Sequence, residues 1–499
     1  MLAVEAREAP QANDEPDVLG PILGETARFC KAELDAAAID HDAAIPRRVL
    51  DGLAGLGLFG VTLPEAFGGA GLPLVSACKV VDTIAAFDRS VAVSLGLHLG
   101  LGTRGLVRFG SPAQHERYLP SLAEGSRIGA FSTTEAGAGS DLSSLRTQGL
   151  TVGEHLVVSG EKIFVTNGGF AGLFTLAIST PGLGGAQRGQ SVVLVERGDP
   201  GFTVQREEKK LGLKGSSTTS LLLEEVRLPL DRVVGEAGQG ARILQHILSW
   251  GRTLMSAGCC GTAREAIRRT MEHVATRRQF GRPLSGLEVV REQLARMKAR
   301  HFAMEALVDE VAREPEDSLA VRSLAAKVFS SEGGWAVVDT ALQLHGGSGF
   351  IEETGLALML RDLRITRIFE GANDVLLAHL GASELSRPTA VKTGESRPGD
   401  GLTDALGKLE AVVDGWKSEL LATYKIGVFR APRILHQLGK AVMWREAAQA
   451  ATRRAQKTPS AEAQALARTV VGEAQLEVAR LTTNPLAREL VEAALGELP

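Results

Sequence analysis

The sequence has no excess of basic residues and no long apolar run, and each absence removes a class of function. Lys and Arg number 55 against 59 Asp and Glu, a net charge of -4. Such a balance gives no electrostatic footprint for a polyanion, so nucleic-acid binding is excluded as a main role. The longest apolar run, Val91 to Gly102, is broken by Ser94 and His98 and is too short to span a bilayer. The opening residues, MLAVEAREAPQANDEPDV, lack the basic segment followed by an apolar core that marks a secretory or transit signal, and a cytoplasmic protein is expected. Cysteine is scarce: Cys30, Cys78, Cys259 and Cys260 show no CxxC spacing and are expected to be buried, reduced thiols. The histidines are scattered and no HExxH occurs, so no metal site is expected.

What is present is ordinary globular material, 499 residues with 44% hydrophobic and 23% charged, enough for about two to four domains. Apolar residues at spacings of three and four, over Val18 to Ile39 and Ala77 to Phe87, predict an N-terminal helical domain over residues 1–126. Pro46, Pro64, Pro73 and Pro112 mark its loops, and Ser111-Pro112 before Gln114 reads as a capped helix start. From residue 127 to 235 the period shortens. The runs at 155–169, 174–180, 191–198, 201–205 and 219–229 predict a small antiparallel sheet or barrel, with 182–190 as an exposed hairpin tip. Helical periodicity returns over 241–278, 287–311, 318–344 and 375–385, predicting a bundle within 236–385. A polar linker over 386–401 then leads to a helical extension over 402–499, with Thr458-Pro459 as a second cap and first-turn proline. The fold class is therefore mostly α with a central β domain.

Chemistry concentrates in a few stretches. In RDLRITRIFEGANDVLLAHL (361–380), Glu370 lies between Phe369 and Gly371. A carboxylate beside an aromatic ring and a glycine is poorly solvated and open to close approach, which suits a general base of raised pKa. FSTTEAGAGSD (131–141) supplies hydroxyls and flexible backbone donors for a polar ring or a pyrophosphate. GEKIFVTNG (160–168) sets Phe164 and Thr166 two residues apart on one face of a strand, an aromatic to cover a flat ring and a hydroxyl to bond its edge. Three other stretches carry blander expectations. GEAGQG (235–240) has the wrong glycine order for a dinucleotide loop and reads as a loop entering a helix; His345 reads as a packed position and His98 as a core histidine.

Together with RRQFG (277–281), QLHGGSGF (343–350) and RIFEGAND (367–374), these blocks stand in one order. The chain resembles the acyl-CoA dehydrogenase family of flavoenzymes over roughly residues 20–385, most closely its very-long-chain branch, whose members carry an extra helical domain. The resemblance implies FAD as cofactor, held by Phe131, Thr133, Thr134, Gly139, Ser140, Phe164 and Thr166. Arg277, Phe280, Gln343, Gly346 and Gly347 would hold its adenosine and pyrophosphate, some across a subunit interface. Ala372, Asn373 and Asp374 would touch it again. It further implies Glu370 as the base, Ser140, Ser249, Arg252, Phe369 and Gly371 near the acyl-CoA, and donors at the thioester oxygen from the Glu370 N–H and the FAD ribityl chain. No acid occurs between Gln239 and Arg264, where a minority branch places its base.

The implied reaction is oxidation of an acyl-CoA to the trans-2-enoyl-CoA, with an electron-transfer flavoprotein as acceptor and a homodimer as the assembly. Carrier-protein-bound substrates, oxygen as acceptor, and a non-catalytic scaffold on the same fold stay open. The helices after 402, with Arg430, Arg433, Lys440, Arg445, Arg453 and Arg454 giving the second a basic side, either cap the catalytic part or touch a membrane. Phe164 stands where relatives have Trp, Ala136 where they have Pro, and Ala372 where they have a hydroxyl; neither Glu288 nor Arg291 is the Gln common after the Phe-Gly pair. These departures predict a specialised member.

Overall fold

The helical spacing read over Val18 to Ile39 falls on two helices. In the computed structural model, which describes residues 18–185, 189–388 and 401–483, α1 (Leu19–Glu33) ends at Leu34 in extended backbone. Asp35 then caps α2 (Ala36–Asp42) by accepting the Ala38 N–H at 3.0 Å. Pro46 and Pro73 precede α3 (Arg47–Gly55) and α4 (Leu74–Ala85), and Asp88 caps α5 (Arg89–Leu97) through the Val91 N–H at 2.8 Å. A π turn over His98–Gly102 joins α5 to α6 (Arg104–Phe109). α7 (Pro112–Ala123) begins where Ser111-Pro112 predicts. Ser111 Oγ accepts the Gln114 N–H and the Gln114 side chain accepts the Ser111 N–H, closing a capping box. By length and composition Arg89–Phe109 could cross a membrane, yet most of it is buried inside the protein.

The central sheet comprises β1 (Gly129–Ser132), β2 (Gln148–Val152), β3 (His155–Thr166), β4 (Leu173–Ser179), β5 (Gln190–Glu196), β6 (Phe202–Glu207), β7 (Thr218–Pro229) and β8 (Val233–Val234). Its order is β6-β7-β3-β2-β4-β5-β8, with β1 beside β4. The expected antiparallel arrangement is corrected at two places: β1 runs parallel to β4, and β2 meets β4 in parallel at Gln148 and Ser179. β1 escapes a pattern reading because all four of its residues are buried, leaving no alternation. β4 and β5 form the expected hairpin, whose residues 186–188 lie outside the described residues.

GEAGQG does enter a helix. α8 (Gly240–Thr276) has 37 residues, about 55 Å of length, and its middle, from Thr253 to Ala263, is buried on every side, so that stretch runs through the core. After the short ribbon β9 (Arg278–Gln279) and β10 (Arg282–Pro283) come α9 (Glu288–Ala312), α10 (Leu319–His345), α11 (Gly347–Phe350), α12 (Leu356–Arg364) and α13 (Asn373–Ser386). The tail contributes α14 (Gly401–Tyr424), α15 (Pro432–Lys457) and α16 (Ala461–Thr483). Residues 1–17, most of the expected linker (389–400) and the end of the tail after 483 are outside the described residues.

α15 crosses α13 with the backbones nearly touching, because Gly381 faces the Leu435 carbonyl and Gly439 faces the Leu377 carbonyl. The basic side expected on α15 is engaged in ion pairs, with Arg445 buried and Lys440, Arg453 and Arg454 part-exposed. Lys440 pairs with Glu477, Arg445 with Glu384, Arg453 with Glu310 and Arg454 with Glu305. The expected start at Thr458-Pro459 shifts as well. Ser460 Oγ accepts the Ala463 N–H at 3.0 Å, while Thr458 turns back to the Arg454 carbonyl at 2.9 Å. All four cysteines are free and buried, and burial pushes the Cys30 thiol up to about 12.

Candidate active site

α12 ends in a single tight turn over Ile365–Arg367, and the chain then turns sharply before α13. Within that turn Glu370 has φ 56° and Gly371 φ 100°. Left-handed backbone is disfavoured for a glutamate, and it persists here because the surroundings hold it. Arg252 Nε donates to the Glu370 carbonyl at 3.0 Å, and Lys327 Nζ donates to the Gly371 carbonyl at 2.8 Å. Lys327 also donates to Asn373 Oδ1 at 2.7 Å, while Asn373 Nδ2 donates to Ser331 Oγ at 3.0 Å and to Glu332 Oε1 at 2.7 Å.

Every one of these bonds grips the turn and none reaches the Glu370 carboxylate. Its Oε2 is buried without a partner. Burial pushes the carboxyl up to about 7, against the pull of Arg252, Lys327 and Arg89. The same burial lowers Arg252 to about 10 and Lys327 to about 8.

The facing wall is β1, the loop after it and β3. Glu135 accepts Lys162 Nζ at 2.7 Å, the Arg146 N–H at 2.6 Å and the Thr147 N–H at 3.0 Å. The Ile163 N–H donates to the Thr134 carbonyl at 2.9 Å. This lattice ties the loop to β3 and leaves Thr133 and Thr134 on the cavity side. The flat strand expected at Phe164 is bulged. The register with β7 shifts between Lys162 and Val165, Phe164 takes φ 59°, and its side chain stands 64% exposed. The bulge keeps Phe164 and Thr166 on the same cavity by bending the strand. Ser132 Oγ also lies against this cavity, buried and without a partner.

α8 closes the third side with Leu248, Gly251, Leu254, Met255 and Gly258. The enclosed empty space, with its mouth, is ≈ 850 Å³. A Cβ on Gly251 would crowd the Leu101 side chain at 2.4 Å and Glu370 Oε2 at 2.9 Å.

Of the residues singled out in the sequence, Phe131, Thr133, Thr134, Phe164, Thr166, Phe369 and Glu370 line this one cavity. Gly139 and Ser140 are on the exposed part of the loop, and Gly371 lies in the turn itself. Arg277, Phe280, Gln343, Gly346 and Gly347 are exposed and gather elsewhere, where the ends of α8 and α10 meet through His273 and His345, stacked at 4.1 Å. Ser249 bonds within α8, to the Gln245 carbonyl at 2.8 Å. Arg252, expected near the acyl-CoA, donates to the Glu370 main chain. Asn373 is turned inward, and Asp374 points to the surface near His436 at 3.3 Å. Ala372 occupies the N-cap of α13 with no side-chain bond, a position where a hydroxyl would be able to cap the helix.

His98 is a core histidine: Nδ1 accepts the Gly129 N–H at 3.0 Å, leaving Nε2 to donate to the Phe59 carbonyl at 3.2 Å. Sequence reasoning missed Lys327 and Arg89. The available signal was a charge at a buried position, as in AAKVF (325–329), where a lone lysine interrupts an apolar run.

The chain matches the acyl-CoA dehydrogenase N-terminal domain over residues 22–126, the middle domain over 130–226 and the C-terminal domain over 238–385. It is 36% identical over 372 residues to the very long-chain specific acyl-CoA dehydrogenase, mitochondrial, of Bos taurus, a match spanning 73% of this chain and 57% of that protein. It is 34% identical over 352 residues to an acyl-CoA dehydrogenase of Bacillus subtilis, covering 70% of this chain and 92% of the relative. The crystal structure of an acyl-CoA dehydrogenase complexed with FAD from Bacillus anthracis superposes with a TM-score of 0.85 at 26% identity, over 96% of this chain and 91% of that one.

Proposed function

This chain belongs to the acyl-CoA dehydrogenase family, and from that membership we propose that it oxidises an acyl-CoA thioester to the trans-2-enoyl product with FAD as cofactor and Glu370 as base. The observation that carries the reading is an unpartnered carboxylate, raised to about 7, in the wall of a cavity whose other wall is lined with hydroxyls and an exposed aromatic. The cavity fits a flavin by its chemistry. The Thr133, Thr134 and Thr166 hydroxyls and the orphaned Ser132 Oγ suit the polar edge of a ring system, and Phe164 suits its face.

Removal of a proton α to a thioester needs a base at the α-carbon and a donor at the carbonyl oxygen. Ionised Glu370 accepts the proton. Its own N–H, without an acceptor among the described residues, is available to the thioester oxygen. Arg252 and Lys327 hold the two carbonyls of the turn, which fixes carboxylate and N–H relative to each other. Leu101, Leu254, Met255 and Phe369 keep water from the base once the acyl chain enters. FAD bound in this cavity supplies the two-electron acceptor for the β-carbon.

The proposal extends to an electron-transfer flavoprotein as acceptor, to a cytoplasmic setting and to a homodimer. Arg277, Phe280, Gln343, Gly346 and Gly347 would there complete the cofactor site of the second copy. Their exposed position, with Phe280 86% and Phe350 78% exposed, supports that role. Peripheral membrane contact is reserved for the turn after α14, where Ile426 is 85% exposed beside Lys425 and Arg430.

The test is spectroscopic. Purified protein supplied with FAD should show flavin absorbance, bleach anaerobically on addition of an acyl-CoA, and turn over with electron-transfer flavoprotein but not in air alone. Protein that takes up no flavin, or whose flavin no thioester bleaches, would refute the enzyme reading.

A further inference from the structure

We propose that Arg89 receives a carboxylate at the far end of the acyl chain, so that the preferred substrate is a short ω-carboxyacyl thioester and not an unsubstituted fatty acyl one. The inference rests on the dehydrogenase reading and names the substrate class of the same cavity. Arg89 opens α5, lines the cavity that holds Glu370, and is only 4% exposed. Its Nη2 reaches the Met255 carbonyl and Cys259 Sγ, both at 3.3 Å, while Nε and Nη1 are buried without an acceptor. No carboxylate among the described residues forms an ion pair with it. The adjacent Asp88 is turned away to cap α5 through the Val91 N–H at 2.8 Å.

A guanidinium cannot shed its charge, so a buried one calls for an anion. An apolar chain end laid against Arg89 would leave two of its nitrogens unpaired and remove what solvent reaches them. A carboxylate would accept from both through the planar fork. The rest of the floor, with Val81, Ala92, Val93 and Gly96, is small and apolar, so the positive charge is the one feature there that can select a chain end.

α8 sets the length of the substrate. A Cβ on Gly251 would meet Glu370 Oε2, and one on Gly258 would meet Arg89 Nη1. These two glycines are two turns apart on one face, about 10 Å along the axis. Allowing about 3 Å at each end for contact with the base and for the hydrogen bond leaves on the order of 4 Å between the α-carbon and the distal carboxylate. That span admits a few methylenes and no long chain. Absence of a side chain at Gly258 is what lets the guanidinium lie against α8 at this depth.

The experiment compares straight-chain acyl-CoA thioesters with ω-carboxyacyl-CoA thioesters of matching length. It uses anaerobic flavin bleaching by the FAD-loaded protein, and calorimetric binding to its Glu370→Gln variant. The expected result is a preference on the order of a hundredfold for the ω-carboxy series. Arg89→Met should abolish it and Arg89→Lys should keep part of it. Equal or better use of the straight-chain series by the unmutated protein, or a ratio that Arg89→Met leaves in place, would overturn the proposal. If neither series bleaches the flavin but ω-carboxyacyl-CoA still binds with an Arg89-dependent preference, the inference stands and the dehydrogenase reading falls. Bleaching by straight chains alone does the reverse.

Discussion

Glu135 and Glu370 are buried carboxylates behind opposite walls of one cavity, and the fold treats them in opposite ways. Glu135 is saturated: burial alone would raise its pKa, but Lys162 and the Arg146 and Thr147 N–H groups more than offset that and hold it below the usual carboxylate range. Glu370 is given no partner at the carboxylate, while the Glu370-Gly371 backbone is gripped by two cations, and its pKa rises to about 7. A buried carboxylate that bonds to its neighbours builds the wall, and one kept free of bonds stays available to a proton. Position, not residue type, separates the two roles.

Breaking the reactive member should have the larger effect. Glu370→Gln should retain flavin and lose on the order of 10³–10⁴ in the bleaching rate, as for removal of a general base. A rate within tenfold of the unmutated enzyme would end the assignment. The stability sign is opposite to the activity sign. Because folding raises the pKa of Glu370 from 4.5 to about 7, the protonated form is favoured in the folded state, so this stability is complete below about pH 4.5 and lost as the pH rises through 7. Glu370→Gln should therefore be more stable than the parent above pH 7, by about 1–3 kcal/mol in denaturant unfolding.

Breaking the structural member should act on the fold. Lys162→Met strands the Glu135 charge and should cost about 3–5 kcal/mol, read as a lower Tm, with weakened FAD binding because the Thr133-Thr134 loop loses its anchor. A Glu135→Gln, Lys162→Met double variant should recover much of that loss, and failure to recover would show that the pair is not what holds the loop.

The smallest and most discriminating effect is on pH. The bleaching rate of the parent should rise with pH through about 7. Arg252→Gln removes a cation that favours the ionised carboxylate, so the limb should move to higher pH by up to about one unit. A loss of rate with no movement of the limb would assign Arg252 to packing alone.

Much of this protein is legible in the order of its residues. Periodicity separated the helical, β and helical regions, the Ser111-Pro112-Gln114 spacing set a helix start, and Phe369-Glu370-Gly371 marked the carboxylate proposed as base. Those features are carried by residues near one another in the chain, so local pattern suffices. The remainder waits on tertiary packing. Arg252 meets Glu370 across 118 residues and Lys327 meets Gly371 across 44, so neither role is visible in a local window. The parallel pairing of β1, the inward turn of Asn373 and the burial of Arg445 against Glu384 likewise depend on which faces meet. Arg89 follows the same logic. In the sequence it is one charge at a helix start, and only the packing of α5 on α8 leaves it buried, with two nitrogens unpartnered, two turns of α8 from Glu370.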